Sequence, residues 1–135
     1  MACRHVGLAV QFLLMFSCLS QIAAGATLCV NKKPSAGCFT TSSAAVASAP
    51  AGDVIQVSPG TYHEDVVIGK AVSLIGASQS HTIIDASGLA NRIYVDGLDN
   101  PGLSNVFVSG FQVQKANFEG ILLTNAWLCS QTITF

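Results

Sequence analysis

The sequence predicts an all-β protein coiled as a solenoid, in which short strands follow one another round successive turns and stack on the equivalent strands of the next turn. Three observations predict it. Between Asp53 and Asp85 lie four β-branched or Leu-rich runs, Val54 to Val57, Asp65 to Ile68, Val72 to Ile75 and Thr82 to Asp85, each too short to stand as a helix. Within them Ile55/Val57, Val66/Ile68 and Val72/Leu74 recur at a spacing of two, so each pair shares one strand face while Gln56 and Ser73 point the other way. The connections Ser58-Pro59-Gly60, Gly69-Lys70 and Gly76-Ala77-Ser78 are turn-forming, yet none is a two-residue Asn-Gly or Asp-Gly link and their lengths differ. Stacked parallel coils account for this pattern better than hairpins do.

Composition bounds the class. The 135 residues are 50% hydrophobic and 10% charged with a formal net charge of -1, which fits one domain. Six Lys and Arg residues make no basic patch and the aromatic residues are not interleaved with them, so nucleic acid is not an expected partner.

Residues 1–26 read as a secretory signal peptide. Arg4 and His5 give a weakly basic start, an apolar run extends from Val6 to Leu19, and Ala24-Gly25-Ala26 supplies an A-x-A cleavage site. Two rivals fit less well: a membrane anchor, because Gln11 and Ser17 interrupt a run that falls short of the roughly 20 apolar residues a span needs, and a lipoprotein signal at Cys18, because Met15 and Phe16 are bulky for a lipidation site. Cleavage after Ala26 removes Cys3 and Cys18 and leaves no membrane segment, and the product is expected to be secreted or periplasmic. In that oxidising compartment Cys29 and Cys38, joined by a short loop, are the expected disulfide, worth about 2–3 kcal/mol by loop entropy. Cys129 is then left as a small buried apolar side chain.

Residues 27–52 are expected to hold the disulfide loop and an N-terminal capping helix. From Thr40 to Ala51 the composition shifts to Ser and Ala, with Thr41, Ser42 or Ser43 as N-cap and Pro50 and Gly52 as terminators. Residues 53–135 are expected to be the coils. After Asp85 come a turn over Ala86 to Asn91, a strand over Arg92 to Val95, a loop from Asp96 to Gly102, a strand-rich run over Asn105 to Val113 and a further rung at Gly120 to Leu123, with Gly110 and Gly120 at corners.

The run I-x-V-x-P-G-T-Y-x-E-x-V-x-I (Ile55 to Ile68), with L-I-G (Leu74 to Gly76) and T-I-I-D (Thr82 to Asp85), resembles the opening coils of right-handed parallel β-helix proteins of the pectin lyase-like superfamily. Pectinesterases and periplasmic β-helix proteins of copper-site maturation are similar in this stretch, and the resemblance extends over roughly Ala45 to Leu123. It implies a single-stranded right-handed solenoid, a capping helix over the first coil, and structural turn roles for Tyr62 and Glu64. It does not carry over an active site: the aspartate pair, arginine and glutamines of pectinesterases have no counterpart between Val106 and Phe135, where Glu119 is the one acidic residue.

Candidate chemistry is sparse. His63-Glu64-Asp65 puts three titratable groups in a row, but neighbours in an extended turn diverge, which favours a structural role over acid/base work. Asp96, Asp99 and Asn100 make an oxygen-rich loop whose natural cofactor would be Ca²⁺, although three ligands fall short of the 6–8 oxygens that cation takes. Arg92 and Lys115 stand alone as bases for a lyase.

The expected function is therefore the N-terminal part of an exported β-helix protein, a non-catalytic scaffold or binding module for polysaccharide or a cell-surface protein. The alternative is a pectinesterase- or polysaccharide-lyase-like enzyme whose active site lies beyond Phe135. Ala126 to Cys129 and Thr132 to Phe135 carry apolar, strand-prone residues without a gatekeeping charge, so the C-terminal end of the solenoid is expected to be uncapped and prone to association.

Overall fold

A computed structural model describes residues 25–89, 91–115, 119–125 and 127–128; residues 1–24 of the expected signal peptide, Cys129 and the Thr132 to Phe135 run lie outside them. The described residues are mostly β, with one helix. In order, the elements are β1 (Thr27–Val30), β2 (Cys38–Phe39), α1 (Ser42–Ser48), β3 (Val54–Val57), β4 (Gly60–Tyr62), β5 (Val66–Ile68) and β6 (Ser73–Gly76). There follow β7 (Thr82–Asp85), β8 (Asn91–Asp96), β9 (Ser104–Ser109), β10 (Gln112–Gln114), β11 (Glu119–Thr124) and β12 (Trp127–Leu128).

Every strand pairing is parallel, and from β3 onward each strand pairs with the one three elements later. Three sheets result, ordered β12-β9-β6-β3-β1-β2, β10-β7-β4 and β11-β8-β5. Because pairing is in register, like positions stack into rows. Leu28, Ile55, Leu74 and Val108 form one inward row, and Val66, Ile93 and Ile121 form another. Ile55, Leu74, Val66 and Ile93 are fully buried, which is the period-two pattern put to use, since alternate residues of a strand face opposite sides. The outward rows are Thr27–Val54–Ser73–Phe107 and Cys29–Gln56–Ile75–Ser109 on the six-stranded sheet.

Three expectations are corrected, while the corner expected at Gly110 separates two strands within Asn105 to Val113. Thr27–Val30, expected in a disulfide loop, is a strand, because its Leu28 and Val30 join the inward rows of β3. Gly60 opens strand β4 instead of closing a turn, pairing with Thr82. Gly120 lies inside β11, whose length is set by its six-residue partner β8. Within β9, Asn105 (φ 57) is the extra residue of a bulge, with Trp127 opposite Ser104 and Leu128 opposite Val106; asparagine tolerates the left-handed region better than most residues.

The first strand of each sheet is protected. On the six-stranded sheet β2 is tied to β1 by the Cys29–Cys38 disulfide, whose Cα atoms sit 4.6 Å apart at directly paired positions. On the second sheet the Lys32 ammonium donates to the Thr61 carbonyl at 2.6 Å, occupying an acceptor on the edge strand β4. On the third, α1 packs against β5. Exposed strand edges invite further pairing, and a lysine, a cross-link and a covering helix each blunt one.

Charged side chains hold both ends of α1. Thr41 is the N-cap, its hydroxyl accepting from the Ala44 N–H at 3.2 Å. The Glu64 carboxylate accepts from the Ser42 and Ser43 N–H groups, each at 2.9 Å, and from the Ser43 hydroxyl at 2.8 Å. At the other end the Lys70 ammonium donates to the carbonyls of Ala47 at 3.1 Å and Ala49 at 2.9 Å. A helix of seven residues is too short to persist alone. An anion at its N-terminus and a cation at its C-terminus satisfy orphan backbone groups and match the dipole, while Ala45, Val46 and Ala49 are buried in the core.

Candidate functional site

The His63-Glu64-Asp65 triplet does not converge. Glu64 is buried and committed to α1, His63 is exposed, and Asp65 is half-buried with Oδ1 lacking a hydrogen-bond partner among the described residues. Tyr62 is buried between them and donates its hydroxyl to the Ser58 carbonyl at 2.9 Å; burial pushes that phenol above its ordinary pKa. His63 and Glu64 do border a cleft of about 240 Å³ with Lys32, Thr40 and Thr41, but the carboxylate there has its lone pairs taken by the helix.

The Asp96 loop is built as a turn. Asp96 Oδ1 accepts from the Tyr94 hydroxyl at 2.9 Å and from the Leu98 and Asp99 N–H groups at 3.1 Å, and Asn100 Nδ2 donates to the Asp96 carbonyl at 2.9 Å. The Asp99 N–H first, and then the Tyr94 hydroxyl, hold the Asp96 carboxyl below the ordinary carboxylate range. Asp96 and Asn100 thus meet as acceptor and donor of one turn instead of as two cation ligands. Among the described residues no group of three or more His, Cys, Asp and Glu side chains is placed to hold a metal ion.

Arg92 lies on β8, and nothing is described of its side chain. Lys115 is not a lone base: its ammonium pairs with Asp85 Oδ2 at 3.0 Å, bridging the corner after β10 to the end of β7. Ser87 donates its hydroxyl and its N–H to Asp85 Oδ1, and Gln114 Nε2 donates to Oδ2 at 3.4 Å. Hydrogen bonds from Ser87, then the Lys115 contact, push the Asp85 pKa well below the ordinary carboxylate range. A carboxylate whose folded pKa is depressed stabilises the fold at pH above its unfolded pKa, about 3.9, and that contribution is lost as pH falls toward the folded value. Asp85→Asn is therefore expected to lower Tm near neutral pH, with the gap to wild type narrowing progressively below about pH 4. Thermal melts of both proteins across that range check it, and a gap independent of pH would contradict it.

One constellation was not anticipated. The hydroxyls of Ser78 and Ser80 both reach His81 Nδ1, at 2.9 and 2.8 Å, in the turn before β7. Serine activation requires a base that is itself oriented by a third group; here both hydroxyls and the ring belong to one exposed turn, and the sharing of Nδ1 locks that turn. The S-Q-S-H spacing is legible in the sequence as a polar turn.

A groove of about 390 Å³ lies on the outer face of the six-stranded sheet. Its floor is the outward row Cys29, Gln56 and Ile75, and its wall is formed by Ser58, Pro59 and Ala77 where the chain leaves β3 and β6. Gln56 is exposed, and neither its amide nor the Ser58 hydroxyl is used in a hydrogen bond among the described residues. The lining combines neutral hydrogen-bonding groups with aliphatic surface. Such a surface can hold a ligand, and it offers no acid, base or nucleophile to react with it, because Cys29 is tied in the disulfide.

No family model, curated protein or solved structure matches the chain. No helix among the described residues is long and apolar enough to cross a membrane, and the Cys29–Cys38 disulfide is compatible with an extracellular location.

Proposed function

We propose that the chain forms the opening coils of an exported right-handed parallel β-helix that acts as a non-catalytic binding scaffold for polysaccharide. The every-third-strand parallel pairing supports the coil, since three strands per turn with in-register rows is how a solenoid stacks. The right hand follows the strong preference of parallel strand crossovers. The pectin lyase-like motif at Ile55 to Ile68 supports the superfamily, and the disulfide with the residue 1–26 signal supports secretion.

The observation that carries the binding reading is the groove over Gln56 and Ile75, open to an extended ligand and lined by neutral polar and aliphatic groups. Three of the carboxylates described elsewhere have structural work: Glu64 holds α1, Asp96 holds its turn, and Asp85 pairs with Lys115. A polysaccharide lyase or esterase would require an assembled base or nucleophile within reach of the substrate.

The test joins retention to turnover. The exported, purified chain is run through native gels containing pectin, xylan or β-glucan and is incubated with the same polymers. Retardation by at least one polymer is expected, without release of reducing ends, methanol or unsaturated uronate. Turnover that persists in Arg92→Ala and Lys115→Ala variants would replace the scaffold by an enzyme, and free migration through all three gels would remove polysaccharide as the ligand.

A further inference from the structure

We infer that the groove on the outer face of the six-stranded sheet is a subsite for a neutral, unbranched glycan segment. This deepens the polysaccharide reading and rests on it. The groove is about 390 Å³, inside the ~300–1,000 Å³ range of small-ligand sites. Neutral sugars present two chemistries at once, ring C–H faces that seek apolar contact and hydroxyls that both donate and accept. The groove answers both. Ile75, Pro59 and Ala77 supply the apolar surface, while the Gln56 amide, with donors and an acceptor on one side chain, and the Ser58 hydroxyl supply the polar partners.

These polar groups are uncommitted within the described chain, so contact with a ligand breaks no internal bond. They are also held in place. Gln56 sits on β3 between Cys29 and Ile75 in strict register, and Cys29 is clamped by the disulfide. The Ser58 carbonyl accepts from the buried Tyr62 hydroxyl and its N–H donates to the Val30 carbonyl at 2.9 Å, so both sides of that wall residue are fixed. A site on strands rather than on a loose loop loses little freedom on binding.

Charge selects the class of glycan. The lining contains no cation to meet a uronate carboxylate and no carboxylate to repel one. An acidic polymer entering this groove would have its charges desolvated against Ile75 and Pro59 without a partner, which is unfavourable. A neutral polymer meets no such penalty.

The test uses the purified full chain, titrated calorimetrically with cellohexaose, xylohexaose, mannohexaose and hexagalacturonate, together with Gln56→Ala, Gln56→Lys and the remote control Val67→Thr. Gln56 and Val67 are both exposed, so none of these changes burdens the core. At least one neutral hexamer should bind, hexagalacturonate should not, and Gln56→Ala should weaken the neutral ligand by up to about tenfold through loss of neutral hydrogen bonds. Gln56→Lys should weaken neutral binding and introduce binding of hexagalacturonate, while Val67→Thr should bind as wild type does. Neutral binding that Gln56→Ala and Gln56→Lys leave unchanged would move the site off this groove while keeping the polysaccharide reading. Binding of hexagalacturonate alone by wild type would overturn the neutral assignment, and binding of none of the four, together with free migration in polymer gels, would overturn both.

Discussion

Gly76→Val is expected to abolish the cooperative unfolding transition of this protein. Gly76 is buried at the end of β6, where the backbone of Gly110 lies directly against it. A Cβ built at Gly76 would collide with the carbonyl of Gly110, and one built at Gly110 would collide with the carbonyl of Gly76. Gly110 also has φ +74, a conformation that side-chain-bearing residues avoid. The clash is backbone against backbone, so no rotamer change relieves it. Separating the two strands would break the adjoining pairs Leu74 with Val108 and Ile75 with Ser109. Ordinary overpacking costs about 1–3 kcal/mol; a displaced strand adds the loss of buried aliphatic rows, against a total stability on the order of 5–15 kcal/mol. Gly88 is the control, because its φ of +78 is strained for alanine but nothing lies within 4 Å of a built Cβ. Gly88→Ala should cost about 1 kcal/mol, a few degrees in Tm. Circular-dichroism melts distinguish the two, and a Gly76→Val protein melting within a few degrees of wild type would show that β6 and β9 separate more easily than their register implies.

Glu64→Ala should remove about 3–5 kcal/mol. Its carboxylate is the acceptor for two backbone donors and one hydroxyl at the start of α1, and hydrogen bonds to a charged group are worth about 1.5–3 kcal/mol each when the donors are left buried. Ser42 is fully buried, so water does not readily replace the lost acceptor. Lys70→Met, at the opposite end of the same helix, should cost less, because that ammonium is partly solvated and its bond to the Ala47 carbonyl is exposed. The double variant should lose less than the sum, since a seven-residue helix that lets go at one end leaves as a unit and the second grip then has nothing to hold. Urea titrations give the free energies, and amide exchange at Ala45 and Ala49 reports detachment of α1. A Glu64→Ala protein within about 1 kcal/mol of wild type, its α1 amides still protected, would show that the other helix contacts suffice.

Tyr62, Glu64 and Asp65 illustrate how much of the site was legible. Adjacent residues in an extended segment point apart, so the divergence of His63, Glu64 and Asp65 was legible, while the burial of Tyr62 and the hold of Glu64 on α1 were not. The partner of Glu64 was not legible, because Ser42 and Ser43 lie more than twenty positions earlier and meet it only in the folded chain. Lys115 shows the same limit. Read along the chain it is an isolated cation; in the fold it stands beside Asp85, 30 residues away, because β10 pairs with β7.

By itself the sequence determined the strands that bury a strong alternating pattern, a short helix capped at Thr41, Ser42 or Ser43, the corner at Gly110 and the Cys29–Cys38 pair, since each follows from spacing within a few residues. Val54–Val57 and Thr82–Asp85 are strands with the bounds their residues suggest. Only the tertiary structure decided which of the three candidates is the cap, and it alone decided β2 and β4, because strands of two or three residues hold no shape until a parallel partner supplies their hydrogen bonds. It also decided the groove. Cys29, Gln56 and Ile75 are spread over 47 sequence positions and carry no common motif, and they become one surface because in-register parallel pairing places each outward side chain directly beside its equivalent on the next strand.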